Sequence, residues 1–297
     1  MSQPLVSIIT ITLNRADLIH RCIESIQRQT YTNYEHIIVD GNSDDNTEEV
    51  VLAYNDPHIR YIKLDRCGPE VQMRAGSSVA KGKYITLLAD DDEYLPEKLE
   101  KQVALFETEP ANVGLVYCWM TYFRNDDPDK IVSVHRNEYR GFVGDITPGH
   151  PKVTGTPTLM FRKEVFDEFG GAFDDSIGRV MSDWEFVARI TQKYEVDFVP
   201  ESLVKVYVDH GHTQLTNEVN QQKRLGHIKF HTHFLTEFSD VFQRYPKSAD
   251  FHYYNIAVHY GLLHERKQAW KYFRKYLGTK PKFVDSLKAI YHIALGR

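Results

Sequence analysis

The chain has 297 residues, of which 42% are hydrophobic, 26% charged and 12% aromatic, with three cysteines and a net charge of −5. This composition excludes disordered and fibrous classes and leaves room for one large or two smaller domains with a sizeable core. The longest nearly apolar run, 113–123, falls well short of the ~18–20 residues that cross a bilayer, and the mildly acidic total gives no reason to expect a nucleic-acid partner. The start of the chain shows no basic stretch leading into an apolar one, so no signal peptide is expected. Cys22, Cys67 and Cys118 are odd in number and widely spaced, which argues against a disulfide framework or a CxxC zinc site and points to a reducing cytoplasm.

In chain order, LVSIITITL (5–13) is apolar and β-branched without alternation, which predicts a central strand buried on both faces. Leu18, Ile19, Cys22, Ile23 and Ile26 then fall at helical spacing. The alternation repeats through a strand at 36–40, a helix after Asp44, a strand at 59–64, a helix from Pro69 to Lys81 and a strand at 84–90. Such alternation predicts an α/β fold with a mostly parallel sheet flanked by helices. Residues 113–123 form a further buried strand, 124–151 a long excursion with one hairpin, and TPTLMFR (156–162) a returning strand. A short helix at 163–169 closes on Gly170 and Gly171, a longer one runs over 182–194, and VDFVPESLVKVYVDH supplies another strand. Beyond about residue 216, Leu225, Ile228, Leu235, Phe238, Phe242 and Tyr245 keep three-and-four spacing, which predicts a C-terminal α-helical extension. The expected division is 1–215 and 216–297.

Ligands of open α/β sheets bind beyond the carboxyl ends of the strands. Three polar clusters occupy those ends: Thr12 and Asn14, then Asp40 to Asp45, then Asp90 to Asp92. Three adjacent carboxylates repel one another unless a cation sits among them, and hard oxygen ligands suit Mn2+ or Mg2+ with a substrate diphosphate completing the shell. The competing reading is a solvated acidic turn capping the helix that starts near Pro96. Asp40 can accept the imide N–H of a pyrimidine base, while Ser43 to Asp45 suit a turn and helix cap.

Together the stretches VSIITITLNR, IIVDGNSDDNT, GPEVQMRAGSSVAKGKYITLLADDDEYLPEKLEKQ and SDWEFVARI resemble a family 2 glycosyltransferase with the GT-A (Rossmann-like) fold, over roughly residues 4–215. The resemblance implies inverting transfer of a sugar from a nucleotide-diphosphate sugar, such as a UDP-sugar, to an acceptor hydroxyl, with a divalent metal. By position it places Thr12 and Asn14 at the nucleoside, Asp40 at the base, Asp90 near the ribose, Asp91 on the metal with Asp92 as a helper, and Asp183 as the catalytic base. An inverting transfer needs one carboxylate on the acceptor side to take the hydroxyl proton. Trp184 and Glu185 are the accompanying acceptor-side candidates, with core packing the rival reading of Trp184 and a solvated side chain that of Glu185, and His210 is a candidate third metal ligand or a hydrogen-bonded loop histidine. Ala89 departs from the family pattern at the first acid of the motif. Arg74 departs where an Asn is common, and is read as a diphosphate contact or as the partner of a nearby acid. His231 and His233, two apart on a helix, cannot face one ion together.

The alternatives are a sugar-nucleotide nucleotidyltransferase, which needs a Gly-rich loop that LNRADL lacks, and a non-catalytic nucleotide-sugar binding or scaffold protein. Family setting makes a glycan or lipid-linked glycan in surface polysaccharide assembly the expected acceptor. Tyr253, Ile256, Ala257, Tyr260, Ala269, Phe273 and Pro281 also resemble one tetratricopeptide repeat, a hairpin that must pack on the rest of the chain or on another chain, which leaves a homo-oligomer open. The total charge conceals an asymmetry. Residues 246–297 hold ten Lys and Arg against three Asp and Glu, a net of +7, which leaves −12 on residues 1–245. The basic end is either a solvated helix face or a peripheral contact with anionic lipid headgroups.

Overall fold

The computed structural model of the chain describes residues 3–153, 155–177, 181–209 and 221–280. The elements are β1 (Val6–Thr12), α1 (Ile19–Gln27), β2 (Tyr34–Asp40), α2 (Thr47–Ala53), β3 (Ile59–Lys63), α3 (Pro69–Val79), β4 (Tyr84–Leu87), β5 (Glu93–Tyr94) and α4 (Lys98–Thr108). They continue with β6 (Val113–Arg124), β7 (Asp127–His135), β8 (Met160–Arg162), α5 (Lys163–Glu168), α6 (Ser182–Thr191), β9 (Glu195–Val208), α7 (Gln221–Glu237), α8 (Ser239–Arg244), α9 (Asp250–Leu262) and α10 (Arg266–Gly278). By density of contacts the chain divides into two units. The first comprises Met1–Val143, Val153–Phe173 and Arg189–His212, the second Gly144–Lys152, Asp174–Ala188 and Thr213–Arg297.

The first unit is a nine-stranded sheet in the order β3-β2-β1-β4-β8-β6-β9-β5, with β7 paired to β6. Strands β3, β2, β1 and β4 are parallel, as the βα alternation predicts. Past β4 the sheet is mixed: β8 is antiparallel to both its neighbours, β6 and β9 are parallel, and β7 returns against β6 as the expected hairpin. The returning strand is shorter than 156–162, because Thr156–Thr158 form a single 3-10 turn and only Met160–Arg162 pair. Period-two geometry sends alternate β1 residues to opposite faces. Ile8 lies in a cluster with Cys22 and Ile26 of α1 and Leu99, Val103 and Phe106 of α4. Ile9 instead faces α3, where a Cβ on Gly76 would stand 2.8 Å from its Cγ2 and 3.2 Å from Val39 Cγ2. The absent side chain is what lets α3 lie directly on the sheet.

The second unit has its own core. Trp184, Ala188, Phe230, Phe234, Phe238, Val241 and Phe242 are buried together, with the Trp184 and Phe234 rings 4.6 Å apart. Helices α9 and α10 form a hairpin closed by Ala257, Ala269, Phe273 and Tyr276. Pro281, the last position of the repeat-like pattern, lies outside the described residues. In α7, His231 is buried while His233 turns to Glu185, so the two do face different ways. His252 Nε2–H donates to Pro148 O at 2.7 Å, which makes its Nδ1 the acceptor for His231 Nδ1–H at 3.0 Å. The His227 and His259 rings stack at 4.4 Å.

Burial holds this histidine group neutral, pushing His252 and His259 down to about 4, His231 well below its ordinary value and His227 down as well. The unfolded chain therefore binds more protons than the native one below pH ~6.5, and stability present above that pH is lost as pH falls toward about 4. For His252 alone the loss approaches ~3 kcal/mol at the acid end. Hydrogen-exchange protection of α7 and α9, corrected for intrinsic rates, is expected to fall between pH ~6.5 and ~5, before ordinary carboxylates protonate. Protection that stays flat over that interval would show that these rings are protonated in the native state without penalty.

Candidate active site

Two loops at the carboxyl ends of β1 and β2 interlock. Asn14 sits at φ 55, a left-handed conformation that Asn tolerates better than most residues. There its backbone N–H donates to Ser43 Oγ at 2.8 Å and its side-chain Oδ1 accepts Asp44 N–H at 2.7 Å. Ala16 N–H reaches Asp45 Oδ2 at 3.2 Å, and Asp45 Oδ1 accepts Thr47 N–H at 3.0 Å at the start of α2. Thr12 is buried, and its carbonyl accepts Gly41 N–H and Gln72 Nε2–H.

Asp40 is fully buried at the end of β2. Its Oδ1 accepts both the N–H and the hydroxyl of Ser43 at 2.8 Å, and its Oδ2 accepts the Tyr61 hydroxyl at 2.5 Å. Ser43 is therefore more than a cap residue, since it joins Asp40 to the Asn14 loop. A carboxylate has about four lone-pair sites, so these donors leave one on Oδ2. The burial and the Asp40 charge together push the Tyr61 phenol upward, so it stays a donor.

The three acids after β4 lie in different surroundings. Asp90 is buried beside Arg15, 3.7 Å away, and burial followed by the Asp91 charge pushes it up to about 7, against the opposing pull of Thr12 and Arg15. Asp92 is also buried, accepts Tyr207 N–H on β9 at 3.1 Å, and is raised by burial and then by Asp91. Asp91, partly exposed, has its backbone carbonyl held by Arg21 Nη1 at 3.1 Å. Among the described residues no three His, Cys, Asp or Glu side chains are grouped so as to hold a metal ion by themselves. The donor chemistry fits Mn2+ or Mg2+ nonetheless: all oxygen, one partly exposed carboxylate, and two buried neighbours whose ionisation a cation would favour. Such ions are usually held by one or two carboxylates together with substrate phosphates.

Arg21 escapes sequence reasoning. Besides Asp91 O it donates to Asn125 Oδ1 at 2.8 Å, and its guanidinium lies 3.9 Å over the Tyr207 ring. The available signal is an arginine beside the apolar stripe of α1, one residue before buried Cys22. Lys98 is likewise unforeseen: fully buried on α4, it donates to Thr86 Oγ1 at 3.0 Å, and burial pushes it down to about 7. Arg74 pairs with a nearby acid, its Nη2 2.9 Å from Glu70, and its Nη1 donates to Gly170 O at 2.8 Å. His210 lies outside the described residues.

Asp183 belongs to the second unit, in the first turn of α6, partly exposed, with Oδ1 accepting Trp184 N–H at 2.9 Å. Its two companions are buried, which for Trp184 is the rival core reading. Trp184 is 1% exposed, packed among Phe230, Phe234 and His252, and its indole N–H donates to Thr147 O at 2.5 Å. Glu185 is 2% exposed, with Oε1 3.4 Å from His233 Nε2. The helical period explains both, since the apolar stripe of α6 that seals the second unit runs through this turn.

The family profile described as Glycosyl transferase family 2 matches residues 7–170. The protein named putative colanic acid biosynthesis glycosyl transferase WcaA of Escherichia coli K12 is 27% identical over 258 residues, covering 83% of this chain and 85% of that one. Among solved structures, S. aureus TarS 1–349 in complex with UDP-GlcNAc superposes with a TM-score of 0.65 at 12% identity, covering 97% of this chain and 92% of that one. The mannosyltransferase PcManGT from Pyrobaculum calidifontis, in complex with GDP-Man and Mn2+, gives 0.59 at 17% identity, covering 99% and 81%. These structural likenesses establish the GT-A fold, and the profile match, spanning more than half of the sequence, establishes descent: the chain belongs to glycosyl transferase family 2.

Proposed function

We propose that this glycosyltransferase moves a sugar, with inversion, from a UDP-sugar to an acceptor hydroxyl of a glycan or lipid-linked glycan in surface-polysaccharide assembly in the cytoplasm. The observation that carries the donor assignment is Asp40: buried, oriented by Ser43 and Tyr61, and left with one acceptor site at the strand end where a base edge would lie. The complex of TarS with UDP-GlcNAc and the colanic acid biosynthesis in the name of WcaA support the donor and the setting.

Thr12 and Asn14 would line the nucleoside, and Asp90 the ribose. Asp91 would hold Mn2+ or Mg2+, with Asp92 behind it, and the ion supplies charge neutralisation on the departing diphosphate. Arg21 fixes the Asp91 backbone and Arg15 balances Asp90, so the acidic turn is shaped before any ligand arrives. Asp183 takes the acceptor proton as its oxygen attacks the anomeric carbon. A thermal-shift panel of nucleotide sugars tests the donor, since a ligand stabilises the native state according to its affinity. UDP and UDP-sugars should raise Tm most, and more so with Mn2+. A larger shift with purine nucleotides would sink the uridine assignment.

A further inference from the structure

We propose that the outer face of α10 docks on an anionic lipid surface. Helix α10 carries Arg266, Lys267, Lys271, Arg274 and Lys275 and no acidic residue. Its inner stripe, Ala269, Phe273 and Tyr276, is buried against α9. That fixes the opposite stripe outward: Lys267, Lys271 and Arg274 are exposed, with Trp270 at 40% and Leu277 at 45% among and beside them. The chain has 41 acidic residues, yet among the described residues none of these five cations makes an ion pair. A solvated face of this kind does not call for an indole and a leucine in its basic row.

The exposed apolar side chains favour a membrane over a nucleic acid, since both partners are anionic. Basic side chains near an anionic bilayer gain attraction that adds from residue to residue, while Trp settles at headgroup depth and Leu enters the acyl boundary. The proposal does not depend on the donor or on the catalytic role of Asp183, and it is measured without either substrate.

The full chain is sedimented with vesicles of phosphatidylcholine alone and of phosphatidylcholine with about one third phosphatidylglycerol, at low salt and at about 0.5 M salt. Binding is expected only to the anionic vesicles and should weaken with salt. The triple variant Lys267→Glu, Lys271→Glu, Arg274→Glu should lose about a hundredfold in partitioning. Trp270→Ala should lose about tenfold and keep the same salt dependence. Circular dichroism and thermal unfolding, unchanged in both variants, show that they fold, and Lys267→Gln, Lys271→Gln and Arg274→Gln serve if the Glu variants do not. The proposal is overturned if the chain ignores anionic vesicles, binds neutral ones equally, or binds them undiminished in the triple variant. Binding to duplex DNA or RNA that is stronger than to vesicles and indifferent to Trp270→Ala would assign the face to nucleic acid instead.

Discussion

Asp183→Asn is expected to lower kcat for sugar transfer by about 10²- to 10⁴-fold, the usual contribution of a positioned general base. The amide keeps the size of the side chain and an oxygen to accept Trp184 N–H at the head of α6, so the fold should be undisturbed. What it cannot do is accept the hydroxyl proton. Because Asp183 sits on a different unit from the acidic turn and from Asp40, affinity for UDP should stay within about twofold of the parent, a difference too small to signal a lost contact. The loss should fall on kcat at saturating acceptor, since an interaction made only in the transition state leaves ground-state binding alone. Steady-state kinetics with calorimetric UDP binding separate the two quantities. Full transfer activity in the variant would remove Asp183 from the mechanism.

The second large effect is expected at Asp91. Replacing it by Ala should cut both transfer and slow donor hydrolysis by about a hundredfold or more, the scale of several kcal/mol of lost charge stabilisation. A binding signature distinguishes this from general damage: Mn2+ should strengthen UDP binding by the parent and make no difference to Asp91→Ala. Asp92→Asn is expected to behave otherwise. Its Oδ1 holds Tyr207 N–H on β9, a bond that an amide oxygen can also accept, so metal-assisted binding should persist. If Mn2+ still assists UDP binding in Asp91→Ala, the ion is held elsewhere.

The first half of the sheet was readable because its signals are local. An unbroken apolar β1, a helical stripe from Ile19 to Ile26 and Pro69 at the head of α3 each act within one turn or one strand. The direction of β8 was not readable, because pairing direction is set by the chain path outside the strand, and three paired residues are too few to show it. The site divides in the same way. Strand-end acids announced themselves by position, as Asp40 and Asp90 show. Partners across long separations did not: Tyr61 for Asp40, Arg21 for Asp91 and Tyr207 for Asp92 lie 21, 70 and 115 residues away. The burial of Trp184 and Glu185 was not decidable, because adjacency to Asp183 in sequence says nothing about which way a helix turns its next two residues.

The contacts of Trp184 reach into the chain's history. Its indole binds the carbonyl of Thr147, its ring packs on Phe230 and Phe234, and His252 binds the very next carbonyl, that of Pro148. A gene truncated near residue 215 would strip those rings away and leave an indole and two peptide carbonyls without their cover. Exchanging the terminal helices between homologues would fail for the same reason unless 144–152 and 174–188 travelled with them. Substitutions in those two short stretches should therefore be inherited together with changes in α7 and α9, and a chimera that respects this grouping is the one expected to be soluble.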